Sequence, residues 1–248
     1  MRQEFPLSVQ GEISPVEVLA IGPHPDDIEI GAGGSLLLWG REGRRIGLVD
    51  LTRGELGTKG DAETRLAEAA EAAKRMGAAF RLNLGLPDGG VEDDGESRAA
   101  LVRVLRECRP QWVLCNLEEP HHPDHAAGAR LVSAAFFLSR LPKYLPDAPA
   151  HSPKQLFHYL IHEQVTPSFL VDISETFEKK FEVMAAYKSQ FIEPELPDDY
   201  QYAGLSDYMK NVRSLGEAWG AQGGVDAAEA FVGQRPLVIG DIGGFIRK

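Results

Sequence analysis

Val16-Glu17-Val18-Leu19-Ala20-Ile21-Gly22, followed directly by Pro23-His24-Pro25-Asp26-Asp27, decides the reading of the fold. The run at 16–22 is short and nearly unbroken in its apolar character, which reads as a strand buried on both faces. It ends in a polar turn with His24 and Asp27 three residues apart. About a hundred residues later the arrangement recurs. Residues 111–117 (QWVLCNL) read as another buried strand, and His122-Pro123-Asp124-His125 stands shortly beyond it.

Working outward, residues 31–42 read as a helix and 45–51 (RIGLVDL) as a second strand. An Ala/Glu-rich helix follows, with Asp61 as N-cap, Met76 near its end and Gly77 as its stop. The third strand is 80–84, a Gly/Asp-rich loop spans 85–95, a helix spans 97–108, and 111–117 is the fourth strand. A helix over 124–140 and strands at 156–161 and 169–173 come next. Ser174 is read as the cap of a helix running to about 190, 192–202 as a loop, and 200–219 as a late helix. Residues 1–14 read as a polar arm. Strands alternating with helices imply parallel βαβ units. The expected fold is α/β and Rossmann-like, a mostly parallel sheet with helices on both faces. It forms one domain over 1–248, with residues 155–248 as a C-terminal extension. In a doubly wound order 3-2-1-4-5, strands 1 and 4 are neighbours at the switch point, where ligands bind beyond the carboxyl ends. That order brings the two polar turns together.

The chemistry of the turns points to a metal. Residues three apart in a turn entering a helix lie on one side, so His24 with Asp27 and His122 with His125 can all reach one ion. A catalytic zinc takes three protein ligands and leaves a position open. A His/His/carboxylate set suits Zn²⁺ and also Fe²⁺ or Co²⁺. Asp26 and Asp27 cannot both face the ion from one turn without strain. One should ligate, and the other should face the attacking water as general base. The spare histidine of the second turn, held charged by Asp124, would stabilise an oxyanion or help protonate a leaving amine.

Bulk properties bound the function. The 248 residues carry a formal net charge of −11, which argues against a nucleic-acid phosphate partner. The apolar run 131–138 is far shorter than the roughly 20 residues of a membrane span. Neither it nor the start of the chain suggests a membrane partner or a signal peptide. Cys108 and Cys115, seven residues apart, read as buried thiols in a reduced cytoplasm.

The stretches AIGPHPDDIEIGAGG, DLTRGELGTKG, RLNLGLPDGGV, RPQWVLC, HPDHAAGARLV, LVDISETFEKK and AYKSQF resemble the LmbE-like, or PIG-L, family of zinc-dependent N-acetylglucosaminyl deacetylases. They are most similar to its bacillithiol-biosynthesis branch. The resemblance implies one Zn²⁺ per subunit on His24, Asp27 and His125, with Asp26 as general base and His122, supported by Asp124, as the second catalytic group. It implies substrate contacts from Arg65 and from Tyr208 of the late helix. It also implies an N-acetylglucosaminyl malate substrate and a closed homo-oligomer, a hexamer being one option. One departure is Pro120, where the mycothiol branch carries a tyrosine.

Other readings stay open at the level of sequence. Arg65 can pair with Asp61 on a solvated helix face. Gly31-Ala32-Gly33-Gly34 is not GxGxxG and occupies the place of the metal turn, so a nucleotide cofactor is not expected. His158 and His162 could line a pocket, though a structural role is the simpler expectation. Phe136 and Phe137 suit core or an oligomer contact. The same chemistry on another amide, or a non-enzymatic metal- or sugar-binding module, remain the alternative functions.

Overall fold

Two five-residue strands, β2 (Val18–Gly22) and β5 (Trp112–Asn116), lie side by side and parallel. A computed structural model describes residues 7–118, 122–162, 165–192 and 208–238. Before β2 comes β1 (Leu7–Gln10), and after it α1 (Asp27–Arg41), β3 (Ile46–Thr52), α2 (Ala62–Met76), β4 (Phe80–Leu86) and α3 (Gly95–Cys108). Beyond β5 come α4 (Pro123–Leu138), β6 (Gln155–Tyr159), β7 (Phe169–Asp172), α5 (Phe177–Met184), α6 (Lys188–Phe191), α7 (Tyr208–Gly223) and β8 (Ala228–Gly233).

The eight strands form one sheet in the order β1-β4-β3-β2-β5-β6-β8-β7. The middle five are parallel and run in the expected 3-2-1-4-5 order. The alternation of β2 divides the core. Val18 and Ala20 pack with Ile28 and Leu36 of α1, Ala72 of α2 and Phe181 of α5. Leu19 and Ile21 face the other way, toward Leu101 of α3 and Leu131 of α4. Strands buried on both faces need no polar alternation, which is why 16–22 and 111–117 are so apolar.

Several boundaries differ from expectation. The arm at 1–14 contains β1, which pairs antiparallel with β4 at the sheet edge. Helix α1 begins at Asp27 rather than 31, and its first turn of Asp27, Ile28, Glu29 and Ile30 is wholly buried. Ser174 does not cap α5: its hydroxyl donates to Asp172, and the N-cap position falls to Thr176. The helix expected to reach 190 breaks after Met184 and resumes as α6. The first residues of the late helix, 200–207, lie outside the described residues.

Strand β8 was not expected at all. Its AEAFVG sequence looks ambiguous because Glu229 is buried there. That carboxylate accepts from the Gly34 and Ser35 amides at 2.9 and 2.8 Å and from Lys180 at 2.7 Å. The glycines of α1 serve this packing. A Cβ on Gly31 would lie 2.2 Å from the Tyr159 ring, and one on Gly34 2.7 Å from Ile173. They let the helix lie against β6 and the chain before α5, and they do not form a phosphate loop.

A second buried charge network lies under the start of α1. Arg81 on β4 is fully buried and donates to both oxygens of Asp50, at 2.7 and 2.6 Å, and to Glu29 at 2.6 Å. Tyr187 also donates to Glu29, at 3.1 Å. Among the described residues, no helix is long and apolar enough to cross a membrane.

Candidate metal centre

The turn after β2 is built around Asp27. Its Oδ2 accepts the His24 amide at 2.9 Å, lies 3.2 Å from His24 Nδ1 and lies 3.3 Å from His125 Nε2. One carboxylate oxygen therefore faces a ring nitrogen of each histidine. His125 comes from the first turn of α4, beyond the adjacent strand β5. The strand order thus joins the two turns as the sequence implied.

The other ring nitrogen of His24 faces two carboxylates, Asp88 Oδ1 at 3.0 Å and Asp124 Oδ2 at 3.2 Å. A ligating imidazole characteristically gives its remaining N–H to a carboxylate, which fixes ring orientation and basicity. The donor set of two imidazoles and one carboxylate, with His24 braced in this way, fits a divalent ion. The rings of His24, His122 and His125 also cluster, with centroids 4.7 to 5.6 Å apart. Burial disfavours the charged form of His24, yet its acidic neighbours together raise its pKa well above the ordinary value. Burial opposes ionisation of Asp27, but His125 and His24 hold its carboxyl well below the usual range.

Asp26 stands apart from Asp27, as the strain argument required. Its backbone has φ 116°, a rare conformation for a residue with a side chain. That bend turns its carboxylate away from the Asp27 cluster and toward Arg65, whose Nη2 lies 3.1 Å away. The same nitrogen donates to the Pro25 carbonyl. Burial pushes the Asp26 carboxyl up to about 7, with the Arg65 charge opposing the shift. Arg65 therefore does not pair with Asp61, which instead caps α2 by accepting from Thr64 at 2.8 Å.

His122 is half-buried at the N-cap of α4, and its Nδ1 accepts the Asp124 amide at 3.3 Å. The expectation that Asp124 holds His122 charged is not what the structure displays. The Asp124 carboxylate is engaged by His24 and by the Gly89 and Val91 amides, at 2.7 and 3.1 Å. Burial, then the neighbouring His24 and His125, push His122 below its ordinary pKa. Asp124 thus ties His24 to the Gly/Asp-rich loop.

Tyr208 opens α7, and its hydroxyl pairs with His162 at 3.1 Å. It does not line the cavity beside the cluster. His158 is structural: its Nδ1 lies 3.0 Å from the Asn116 carbonyl and 3.3 Å from Cys115 Sγ. His121 and Pro120 fall outside the described residues. Cys108 and Cys115 are free and buried, and burial pushes both thiols up, Cys108 to about 12. Phe136 is core, whereas Phe137 is 55% exposed.

The cavity has a volume of about 460 Å³, within the usual range for small-ligand sites. His24, Asp26, Arg65, Asp88 and His122 line it together with Leu56. Asp88 and Leu56 were not singled out from the sequence. Asp88 follows β4, the third parallel strand on the same side of the sheet, and a Pro-Asp-Gly turn there was the available signal.

Comparison with known proteins places the chain in a family. Residues 19–136 match the PIG-L family model, described as GlcNAc-PI de-N-acetylase. The chain is 31% identical over 193 residues to the diacetylchitobiose deacetylase of Thermococcus kodakarensis, covering 71% of each chain. It is 29% identical over 187 residues to a Bacillus cereus protein described as "Probable N-acetyl-alpha-D-glucosaminyl L-malate deacetylase 2", covering 70% of this chain and 83% of that one. The crystal structure of the conserved protein TT1542 from Thermus thermophilus superposes with TM-score 0.82 at 39% identity, over 90% of this chain and 97% of that one. The chain spans only 42% to 59% of the length of the 1D-myo-inositol 2-acetamido-2-deoxy-alpha-D-glucopyranoside deacetylases it also matches. It belongs to the PIG-L, or LmbE-like, de-N-acetylase family.

Proposed function

We propose that this chain is a metal-dependent hydrolase that removes the acetyl group from an N-acetylglucosamine conjugate. The observation that carries the reading is the convergence of His24 and His125 on Asp27 Oδ2, with Asp26 held separately on the same cavity. A pure binding site would need neither Asp26 nor His122.

His24, Asp27 and His125 would hold the ion, for which Zn²⁺ is our assignment and Fe²⁺ suits the same donors. When bound, a divalent ion supplies Lewis-acid polarisation of the acyl oxygen and acidifies water. Asp26 accepts the proton of the attacking water, a role suited to a carboxylate whose pKa burial has raised toward neutrality. Water oxygen bonds to the acyl carbon and the C–N bond breaks. The proton held by Asp26, or one from His122, passes to the departing nitrogen, leaving acetate and a free amine. His122 faces the same space and stabilises the oxyanion. Arg65 keeps Asp26 aimed and contributes positive charge beside the substrate.

The malate conjugate implied by the sequence resemblance is one member of this substrate class. The diacetylated disaccharide in the Thermococcus relative's name is another. We read the chain as one catalytic unit, since β8 near its far end buttresses the helix that carries Asp27. Its free buried thiols are compatible with a cytoplasmic setting, and we carry forward the homo-oligomer as part of the proposal. The test is acetate release from N-acetylated sugars, run alongside metal analysis of wild type, His24→Ala and His125→Ala. Activity that disappears with the metal in both variants supports the reading. Stoichiometric metal retained in both would overturn the site.

A further inference from the structure

A buried ion pair from the second half of the chain reaches the helix that begins at the metal turn. Lys180 of α5 and Glu229 of β8 meet at 2.7 Å and are 3% and 4% exposed. Neither charge stops at its partner. Lys180 Nζ also donates to the Ile30 carbonyl at 2.7 Å. The two oxygens of Glu229 take the Gly34 and Ser35 amides. Thr176, the N-cap residue of α5, donates its hydroxyl to the Gly34 carbonyl at 2.8 Å. Two carbonyls and two amides in the middle of α1 are thus bonded to side chains of other elements.

The sequence of α1 makes room for these contacts. Glycine at 31, 33 and 34 weakens a helix, because it gives up more backbone freedom than any other residue. It also leaves the backbone bare. The Lys180 stem lies across Gly33, its Cγ 3.5 Å from where a Cβ would stand. The stretch from Ile30 to Ser35 is therefore held less by its own propensity than by Lys180, Thr176 and Glu229. From there the path to the site is short. The Ile30 amide donates to the Asp26 carbonyl at 3.0 Å. Lys180 stands two hydrogen bonds from the residue at φ 116°, and within one helical turn of Asp27. Stability alone gives little reason for such a pair, since well-packed apolar side chains often match or better a buried ion pair. Apolar side chains could not, however, hold a carbonyl on one side and two amides on the other.

We propose, on the metal-hydrolase reading of the site, that Lys180 and Glu229 are positioning residues. Through the backbone of α1 they hold the Asp26–Asp27 turn in the geometry that binds the metal. The test compares full-length wild type, Lys180→Met, Glu229→Gln and the double variant carrying both changes, at a temperature where each is folded. Three quantities are read: Tm of the metal-free protein, Zn²⁺ affinity by chelator competition, and the visible spectrum of the Co²⁺-loaded protein, whose bands follow ligand geometry. Each single variant strands a buried charge and should unfold at lower temperature, whereas the double variant removes both charges and should recover most of that loss. Its Zn²⁺ affinity should nonetheless stay about 10-fold or more below wild type, the scale of losing groups that orient metal ligands, and its Co²⁺ bands should differ from wild type. A double variant with wild-type affinity and wild-type Co²⁺ bands overturns the inference and leaves the metal-hydrolase reading standing. Wild-type protein that binds neither ion overturns that reading itself. Should the variants at 180 and 229 fail to fold, Thr176→Val removes only the hydroxyl on the Gly34 carbonyl. It should lower Zn²⁺ affinity by a smaller factor, and unchanged affinity and Co²⁺ bands would overturn the inference.

Discussion

Replacing Arg81 by Met tests how the floor of the candidate metal centre is held. Arg81 is fully buried and faces two buried carboxylates, Asp50 through both oxygens and Glu29 through one. Removing one partner of a buried ion pair costs about 3–5 kcal/mol, because an uncompensated charge stays behind. Here two carboxylates would be stranded, so the upper part of that range applies. For a chain of this length, each kcal/mol shifts Tm by about 2–4 °C, giving an expected drop of ~10–20 °C near neutral pH. The loss should depend on pH. Burial already raises the Asp50 pKa in the wild type despite the charge of Arg81. A carboxyl whose folded pKa lies above its unfolded value favours folding below the unfolded pKa. That contribution is lost as pH rises through the folded one. Without Arg81 the shift grows, so Arg81→Met should be more destabilised at pH 8 than at pH 5. Calorimetry on metal-free protein at both pH values measures this. Adding Asp50→Asn and Glu29→Gln should recover most of the loss. A Tm drop under about 3 °C at pH 8, or a larger drop at pH 5, would refute the argument.

Three further outcomes follow from the site and its packing. Asp26→Asn should retain the metal and lose about 10²–10⁴-fold in kcat if it is the general base, whereas Asp27→Asn should lose the metal itself; identical metal content and activity in the two variants would count against separate roles. Arg65→Ala should lower kcat/KM by ~1.5–3 kcal/mol, as for a charged hydrogen bond. Because Arg65 opposes the upward shift of Asp26, its removal should move the acid limb of the pH–rate profile to higher pH with metal content unchanged, and an unmoved limb would argue against this coupling. Gly31→Ala should destabilise by about 1–3 kcal/mol through overpacking against Tyr159, despite a helix-propensity gain of about 1 kcal/mol; chemical denaturation reads the sign, and net stabilisation would show that Tyr159 yields freely.

What could be read from sequence was what local chemistry dictates. The paired His-Pro-Asp turns stand at the ends of apolar runs, and the doubly wound order of those runs makes the turns adjacent. Asp61 and Gly77 bound α2 by capping rules that act within one turn. The missed features depend on contacts between distant segments. Asp88 looks like any loop aspartate until β4, β3 and β2 pair, which brings it within 3.0 Å of His24. Asp124, assigned to its sequence neighbour His122, turns to His24 a hundred residues earlier. Glu229 disguised β8 because a buried carboxylate breaks the apolar pattern, and Lys180 and the Gly34 and Ser35 amides that satisfy it come from other elements.

The same distinction accounts for the strained turn at the centre of the site. An aspartate at φ 116° is costly in isolation, by about 1–3 kcal/mol. It persists because surrounding contacts fix both flanks. On one side the His24 amide is held by Asp27, and on the other Arg65 spans the Pro25 carbonyl and the Asp26 carboxylate. Glu29, one turn further, is tied to Arg81 and Tyr187. All of these contacts are made within the protein itself. The bend keeps two adjacent aspartates in different environments, one among imidazoles and one facing a guanidinium. A relaxed helical turn would leave both carboxylates competing for the same positive charge. The proposed division between ligand and base would thus be a property of the backbone at Asp26, maintained by residues from α1, α2 and β4.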